Sequence, residues 1–230
     1  MSKPKIIAII PARGNSKGIP RKNVRLLLGK PLLAHSIQHA KECPLIDEVY
    51  VSTDNDEIAE TALLFGAQVI KRPDDLALDT SSSEEALVHA LNFLALQQIQ
   101  PELVVFLQCT SPNRKTRHLT EAILQLQQEK ADSLLSVSPS HAFLWEMSGN
   151  SPAPINYDVN RRPRRQDKKP EYWENGSFYI FKPSILLKQN NRLGGKISMY
   201  VMDGKLIDID EPADFQLAEI LLSQTEHANH

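Results

Sequence analysis

Two clusters of side chains in this chain have types and spacings suited to phosphate and metal chemistry. The first is Pro11–Asn23, PARGNSKGIPRKN. Arg13, Lys17, Arg21 and Lys22 place four cations within ten residues, and Gly14 and Gly18 let backbone N–H groups turn toward a ligand. A loop of this kind at the carboxyl end of a first strand can cradle a polyphosphate. The spacing is neither G-x-x-x-x-G-K-[ST] nor G-x-G-x-x-G, so neither a Walker loop nor a dinucleotide fingerprint applies. A basic surface loop is the competing reading. The second cluster is Leu206–Pro212, LIDIDEP. Asp208 and Asp210 alternate on extended chain, which projects both carboxylates to one face about 7 Å apart. Two hard oxygen ligands suit Mg²⁺, which binds one or two carboxylates and completes its shell with substrate phosphates. Alternatively Asp210 caps the helix that Pro212 opens, and the two roles are compatible.

These residues need elements to hold them. Ile6–Ile10 is a β-branched apolar run suited to a strand buried on both faces, and Pro11 stops it. Beyond the basic loop, strand-like and helix-like stretches alternate in the pattern of an α/β domain with a mostly parallel sheet. The expected strands are Glu48–Thr53, Gln68–Lys71, Leu103–Leu107, Ser133–Val137, Asn175–Phe181 and Ser198–Met202. The expected helices are Leu32–Lys41, Asp54–Phe65 (closed by Gly66), Glu84–Leu96, Thr116–Glu129, Pro183–Gln189 and Pro212–Leu222. His35 and His39 lie four apart on the first helix and, without a neighbouring Glu motif, read as structural. Arg72–Ser83, RPDDLALDTSSS, should face the same sheet edge as the basic loop, Asp79 capping the next helix and the serines capping it or meeting a ligand. Gln108 ends the central strand and points into the cleft. Arg114, Lys115 and Arg117 read as solvated charges at a helix start.

With 230 residues, 41% hydrophobic and 23% charged, the chain should bury one sizeable core as a soluble protein. A formal net charge of −2 argues against whole-molecule affinity for nucleic acid, so the basic clusters act locally. Cys43 and Cys109 have no metal-ligand spacing and suggest no disulfide framework. Met1–Lys5 runs straight toward the first strand without the pattern of a signal peptide, and no apolar run reaches membrane-spanning length. A cytoplasmic location is expected, with no membrane partner.

Ser138–Pro170 breaks the alternation. It is rich in Pro, Asn, Ser and Arg, with Phe143, Trp145 and Tyr157 isolated in it. Connections this long are commonly functional. Its run Arg161–Lys169, RRPRRQDKK, reads as a solvated patch, a nuclear address or a nucleic-acid footprint, and the near-neutral chain weakens the last.

The stretch P-A-R-G-N-S-K-G-I-P-R-K-N closely resembles the signature loop of the sialic acid cytidylyltransferases, the CMP-N-acetylneuraminate synthetases, whose relatives make CMP-legionaminate and CMP-pseudaminate. Related CMP-Kdo synthetases share P-A-R but usually lack the continuation. Further resemblance lies in the Arg72–Ser83 loop, in L-Q-C-T-S-P from Leu107, in R-R-P-R-R-Q-D followed by E-N-G-S-F-Y, and in I-D-I-D. The resemblance implies a single Rossmann-like nucleotidyltransferase domain over residues 1–230, with 138–172 as an inserted excursion for dimerisation and sugar binding. It implies CTP contacts from Arg13, Asn15, Ser16, Lys17, Lys22, Asn23, Arg72 and Ser83. It assigns the sugar to Gln108, Arg165 and Gln166, the last two acting within the chain or across a homodimer. Mg²⁺ falls to Asp208 and Asp210, and the catalytic charges to Arg13, Lys17, Lys22 and Asp210. The general base stays open between a metal-bound hydroxide and Asp210. The implied reaction transfers CMP from CTP to the anomeric 2-hydroxyl of a nine-carbon 2-keto sugar acid. The competing readings are a sister enzyme for legionaminate, pseudaminate or Kdo, a glycosyltransferase, and a non-catalytic nucleotide-binding protein.

Overall fold

The computed structural model describes residues 5–16 and 18–227, so Lys17, residues 1–4 of the lead-in and residues 228–230 of the tail lie outside the described residues. The apolar run forms strand β1 (Ile6–Pro11), with Ile7 to Ile10 fully buried as a strand covered on both faces requires. A short hairpin, β2 (Leu26–Leu27) and β3 (Lys30–Pro31), leads into helix α1 (Leu32–Glu42). Then follow β4 (Glu48–Thr53), α2 (Asp56–Leu64), β5 (Gln68–Lys71), α3 (Ser83–Leu96), β6 (Leu103–Leu107), α4 (Thr116–Glu129) and β7 (Ser133–Ser140). A second hairpin, β8 (Trp145–Ser148) and β9 (Ser151–Pro154), precedes β10 (Glu171–Phe181), α5 (Pro183–Gln189), β11 (Ile197–Val201) and α6 (Pro212–His227).

Seven strands form one sheet in the order β11-β7-β10-β6-β1-β4-β5. Every pairing is parallel except those of β10, which runs antiparallel to β6 and β7. Alternate residues of β1 split between two cores. Ala8 and Ile10 pack with Ile37 of α1, Ala62 of α2 and Ile123 of α4. Ile7 and Ile9 pack on the other face with Leu87 and Leu94 of α3 and Leu186 of α5. Helices thus cover both faces, and the loops leaving β1, β4, β5 and β6 meet at one carboxyl edge.

The expected elements appear with shifts that have local causes. Helix α2 starts at Asp56 rather than Asp54, because Asn55 accepts the Ile58 N–H at 3.1 Å and takes the cap. Strands β7 and β10 run beyond their expected ends: Ser138–Ser140 pair with Glu171–Trp173, carrying the sheet into the polar excursion. Helix α6 continues past Leu222 to His227. His35 serves structure, its Nε2 lying 3.0 Å from the Leu27 carbonyl of the first hairpin.

One expectation is corrected. Arg114 is no solvated charge: it is 2% exposed and its guanidinium is threaded under the sheet edge. Four acceptors there, two carbonyls and two serine hydroxyls, drew it inward. Lys115 and Arg117 remain at the surface, both reaching Asp203.

Candidate active site

The loop after β1 folds back across the carboxyl edge and is tied at three points. The Gly14 N–H donates to the Asp54 carboxylate at 3.0 Å, which explains why Asp54 was left outside α2. The Asn23 side chain, 7% exposed, donates to the Arg13 carbonyl at 3.0 Å, so it shapes the loop as well as lining the cleft. Lys22 donates to the Ile209 carbonyl at 2.7 Å and to the Asp210 carboxylate at 3.1 Å. At Gly18 the loop touches the Asp210 backbone so closely that a Cβ would collide with its carbonyl oxygen.

The Asp-bearing segment forms the opposite lip. Ile207 and Ile209 are buried while Asp208 and Asp210 face outward, the alternation that the sequence requires. The two isoleucines join Ile19, Leu27, Leu32, Phe215 and Ala218 in an apolar cluster separate from the two main cores. The loop after β6 holds the segment's backbone: Ile209 N–H donates to Thr110 O at 2.8 Å and Ile207 N–H to Asn113 Oδ1 at 3.2 Å. The Asp210 carboxylate lies on Lys22, while Asp214 in the first turn of α6 accepts the N–H groups of Glu211 and Asp210 at 2.7 and 2.9 Å. Those two bonds hold the Asp214 carboxyl below its usual range.

Between the lips lie two adjoining chambers of about 310 and 430 Å³, a size suited to small-molecule ligands. Arg13, Ser83, Gln108 and Asp210 line both. Ser16, Lys22 and Asn23 belong to the first, Arg72, Asp79 and Ser82 to the second. Each cation has a carboxylate near it: Arg13 with Asp79 at 3.0 Å, Lys22 with Asp210 at 3.1 Å and Arg72 with Asp54 at 3.9 Å. Arg72 is 5% exposed, and its Nε and Nη2 have no hydrogen-bond partner. Burial pulls this guanidinium below its ordinary range, with Asp54 opposing. An under-bonded buried cation on a cleft wall is an anion receptor in waiting. The serines divide their work: Ser82 caps α3 in a capping box with Glu85, and Ser83 faces the first chamber.

On the floor, burial pushes the Cys109 thiol up to about 12, which removes thiolate chemistry at neutral pH. Gln108 lies against Gly176, whose φ of +67° marks a bulge in β10. A Cβ there would stand 3.1 Å from Gln108 Oε1. The bulge is held by Asn175, which accepts from Ser136 Oγ at 2.7 Å and from the Ser177 N–H at 3.1 Å.

Other expected residues stand apart. Asn15 lines a side chamber with Asp54, Asp74 and Asp79. Asp208 is exposed and lines neither main chamber. Arg165 and Gln166 open a short 3₁₀ turn in the excursion, are exposed, and line neither chamber of their own chain. Beside them Arg162 and Lys168 cover the Phe143 ring at 4.3 and 5.0 Å, folding part of the basic run onto the excursion's own aromatics. No group of three or more metal-ligating side chains occurs among the described residues. The Asp208–Asp210 pair is nonetheless a hard-oxygen donor set of the kind Mg²⁺ takes when phosphate oxygens supply the remaining ligands. Asp54, Asp79, Asn113 and Arg114 were missed as site residues. The first two read as caps, and nothing local to the sequence marks the others.

Comparison with known proteins gives the family. A family model described as Cytidylyltransferase matches residues 7–226. The chain belongs to this cytidylyltransferase family. Among curated relatives, N-acylneuraminate cytidylyltransferase A of Danio rerio is 40% identical over 93% of this chain and 50% of its own length. The N-acylneuraminate cytidylyltransferase of Escherichia coli O18:K1:H7 is 34% identical over 93% of this chain and 51% of its own. The chain thus spans about half the length of these cytidylyltransferases. The CMP-N,N'-diacetyllegionaminic acid synthase of Legionella pneumophila is 34% identical over 97% of this chain and 99% of its own. A solved CMP:2-keto-3-deoxy-manno-octonic acid synthetase complexed with CTP shares the cytidylyltransferase fold, with a TM-score of 0.75 at 17% identity over 96% of this chain and 99% of that one.

Proposed function

We propose that this chain transfers CMP from CTP to the anomeric 2-hydroxyl of a nine-carbon 2-keto sugar acid, releasing pyrophosphate. The observation that carries the reading is the single cleft in which the basic loop and Asp210 face each other. The hydroxyl attacks the α-phosphorus in line, a phosphorus–oxygen bond forms, and the bond to the β-phosphate oxygen breaks. Arg13, Lys17 and Lys22 neutralise the triphosphate and the departing pyrophosphate, with Asn15, Ser16, Asn23, Arg72 and Ser83 binding CTP. Triphosphate oxygens take over the cations from Asp79, Asp210 and Asp54. Gln108 serves the junction of nucleotide and sugar, and the hydroxyl proton passes to Asp210 or to a base that Mg²⁺ would supply. The work is largely positioning and electrostatics. Mg²⁺, held by Asp208 and Asp210, supplies positive charge to phosphate oxygens when bound. The protein acts in the cytoplasm.

The sugar carboxylate is met by Arg165 and Gln166 of a second copy. Exposed Trp145, Met147, Ile155 and Trp173 on the excursion support a homodimer contact there. Within the nine-carbon acids, N,N'-diacetyllegionaminate as acceptor is favoured by the match to the Legionella relative over 97% of this chain and 99% of that one.

The test is pyrophosphate release with Mg²⁺ across CTP, UTP, ATP and GTP, using N-acetylneuraminate, diacetyllegionaminate, pseudaminate and Kdo in parallel. Release with CTP and one nine-carbon acid is expected. Activity with UTP in place of CTP would overturn the reading, and silence with every acid alongside CTP binding would favour an untested sugar or a binding protein. Asp208→Ala should keep its fold and lose turnover; full activity with Mg²⁺ would remove the metal from this pair.

A further inference from the structure

Arg114 sits beneath the cleft floor with 2% of its surface exposed, and makes no ion pair with a carboxylate among the described residues. Burial lowers its guanidinium to about 10, still cationic at neutral pH. A buried charge without a counterion is costly, so its hydrogen bonds carry its accommodation. There are four. Nη2 donates to the Gln108 carbonyl at 2.5 Å and the Ser177 carbonyl at 2.9 Å, Nε to Ser177 Oγ at 3.1 Å, and Nη1 to Ser36 Oγ at 2.9 Å.

Those acceptors belong to three parts of the fold, the residue that follows β6, the bulge of β10 and the buried face of α1. The planar fork fixes their relative angles, because its five donors have set directions. Gln108 N–H also donates to the Ser177 carbonyl, at 3.2 Å, and Ser36 Oγ to the Gln108 carbonyl, at 3.5 Å. The backbone of Gln108 is therefore held from both sides, and its side chain is steered along Gly176 into the chambers.

We infer that Arg114 is the positioning residue that sets Gln108 at the junction between nucleotide and acceptor sugar. It touches neither substrate and acts through the Gln108 and Ser177 backbones. The inference rests on the proposed cytidylyl transfer for the role of Gln108, but its geometric half does not.

The experiment compares wild type with Arg114→Met, Arg114→Lys and Ser36→Ala. Calorimetric CTP titration, thermal unfolding and steady-state kinetics with the accepted sugar acid are measured well below each melting temperature. Misplacing Gln108 should lower kcat/KM for the sugar acid by about 100-fold in Arg114→Met, while CTP affinity changes by less than about threefold. Arg114→Lys should recover about tenfold of that loss by restoring the charge without the fork. Ser36→Ala, which removes one of the four Arg114 bonds together with the long Ser36–Gln108 bond and should fold, should give a smaller loss in the same direction. A folded Arg114→Met with unchanged sugar kinetics, or a parallel loss of CTP affinity, would overturn the inference. Should Arg114→Met not fold, Ser36→Ala with wild-type sugar kinetics would overturn it equally. If wild type turns over no acid, the proposed function fails alone. Hydrogen exchange then decides, with the Gln108 amide expected to exchange faster in Ser36→Ala and Arg114→Lys while α3 amides stay unchanged; equal Gln108 exchange in all proteins would refute the positioning.

Discussion

Lys22 has two acceptors, and they belong to one short segment. Its ammonium bonds the Ile209 carbonyl and the Asp210 carboxylate, and its side chain is only 13% exposed. The carbonyl fixes where the charge sits, and the carboxylate is the partner a phosphate oxygen would displace. Replacing Lys22 with Ala should weaken CTP binding by about 10- to 100-fold, the value of one or two charged hydrogen bonds, with little change in melting temperature. Titration calorimetry with CTP checks this, and an unchanged affinity would return Lys22 to a purely structural part. Residues of this kind were legible from type and spacing at Arg13, Lys22, Gln108 and Asp210 and through the family resemblance at Arg72, and all five reach the cleft. Arg114 was not legible, because a basic residue ahead of a helix reads as solvated unless the four acceptors waiting for it are known. They come from positions 36, 108 and 177, separations that no local pattern reports.

At the scale of elements, glycine decides how near the basic loop comes to the Asp-bearing lip. Gly18 leaves no room for a Cβ against the Asp210 carbonyl, so Gly18→Ala must part the two segments. The expected result is a loss of CTP affinity of about tenfold or more with the sheet intact, since displacements of about 1 Å suffice to disrupt a site. Circular dichroism and CTP titration together test it; wild-type binding would mean that the lips do not act jointly. Strand and helix positions followed from periodicity, since each element buries a face whose spacing is written in its own residues. The lengthened β7 and β10 were hidden because Ser138, Pro139 and Tyr172 carry no apolar alternation and are ordered by pairing across the ladder. Asp203 was hidden for a related reason. His118 and Arg117 of α4 both bond it at 2.6 Å, anchoring the turn that enters the Asp-bearing segment, and the partners lie more than 80 positions apart.

For the molecule as a whole, acid should loosen the fold through His39. Burial first, and the nearby Arg114 charge second, lower its pKa from the ordinary 6.5 to about 3. The unfolded chain takes up a proton below pH 6.5 that the folded one refuses until about pH 3, so acidification across that window favours unfolding. Stability should fall by up to about 1.4 kcal/mol per pH unit there from this group. His39→Gln should flatten the slope in urea melts between pH 6.5 and 4.5, and an unaltered slope would assign the loss elsewhere. The proposed pairing of two copies makes a separate claim. Arg165→Ala should raise the KM of the sugar acid about tenfold and leave CTP binding nearly intact, because an exposed arginine outside its own chambers can act only on the part of the substrate that a partner presents. A selective loss of CTP binding would move Arg165 to the triphosphate.

The small third cluster joins positions far apart in the order of synthesis. Ile19 and Leu27 leave the ribosome early, Ile207, Ile209 and Phe215 nearly two hundred residues later. Strands β1, β4, β5 and β6 can pair before then, and Asp54 can hold the start of the basic loop, but Ile19 and Leu27 lack their apolar partners until the late isoleucines arrive. A nascent chain interrupted near Lys205 would therefore carry most of its sheet, leave Ile19, Leu27 and Leu32 open to water, and lack one lip of the cleft. Under the proposed function, competence to hold CTP is in this way a report that translation has passed residue 215.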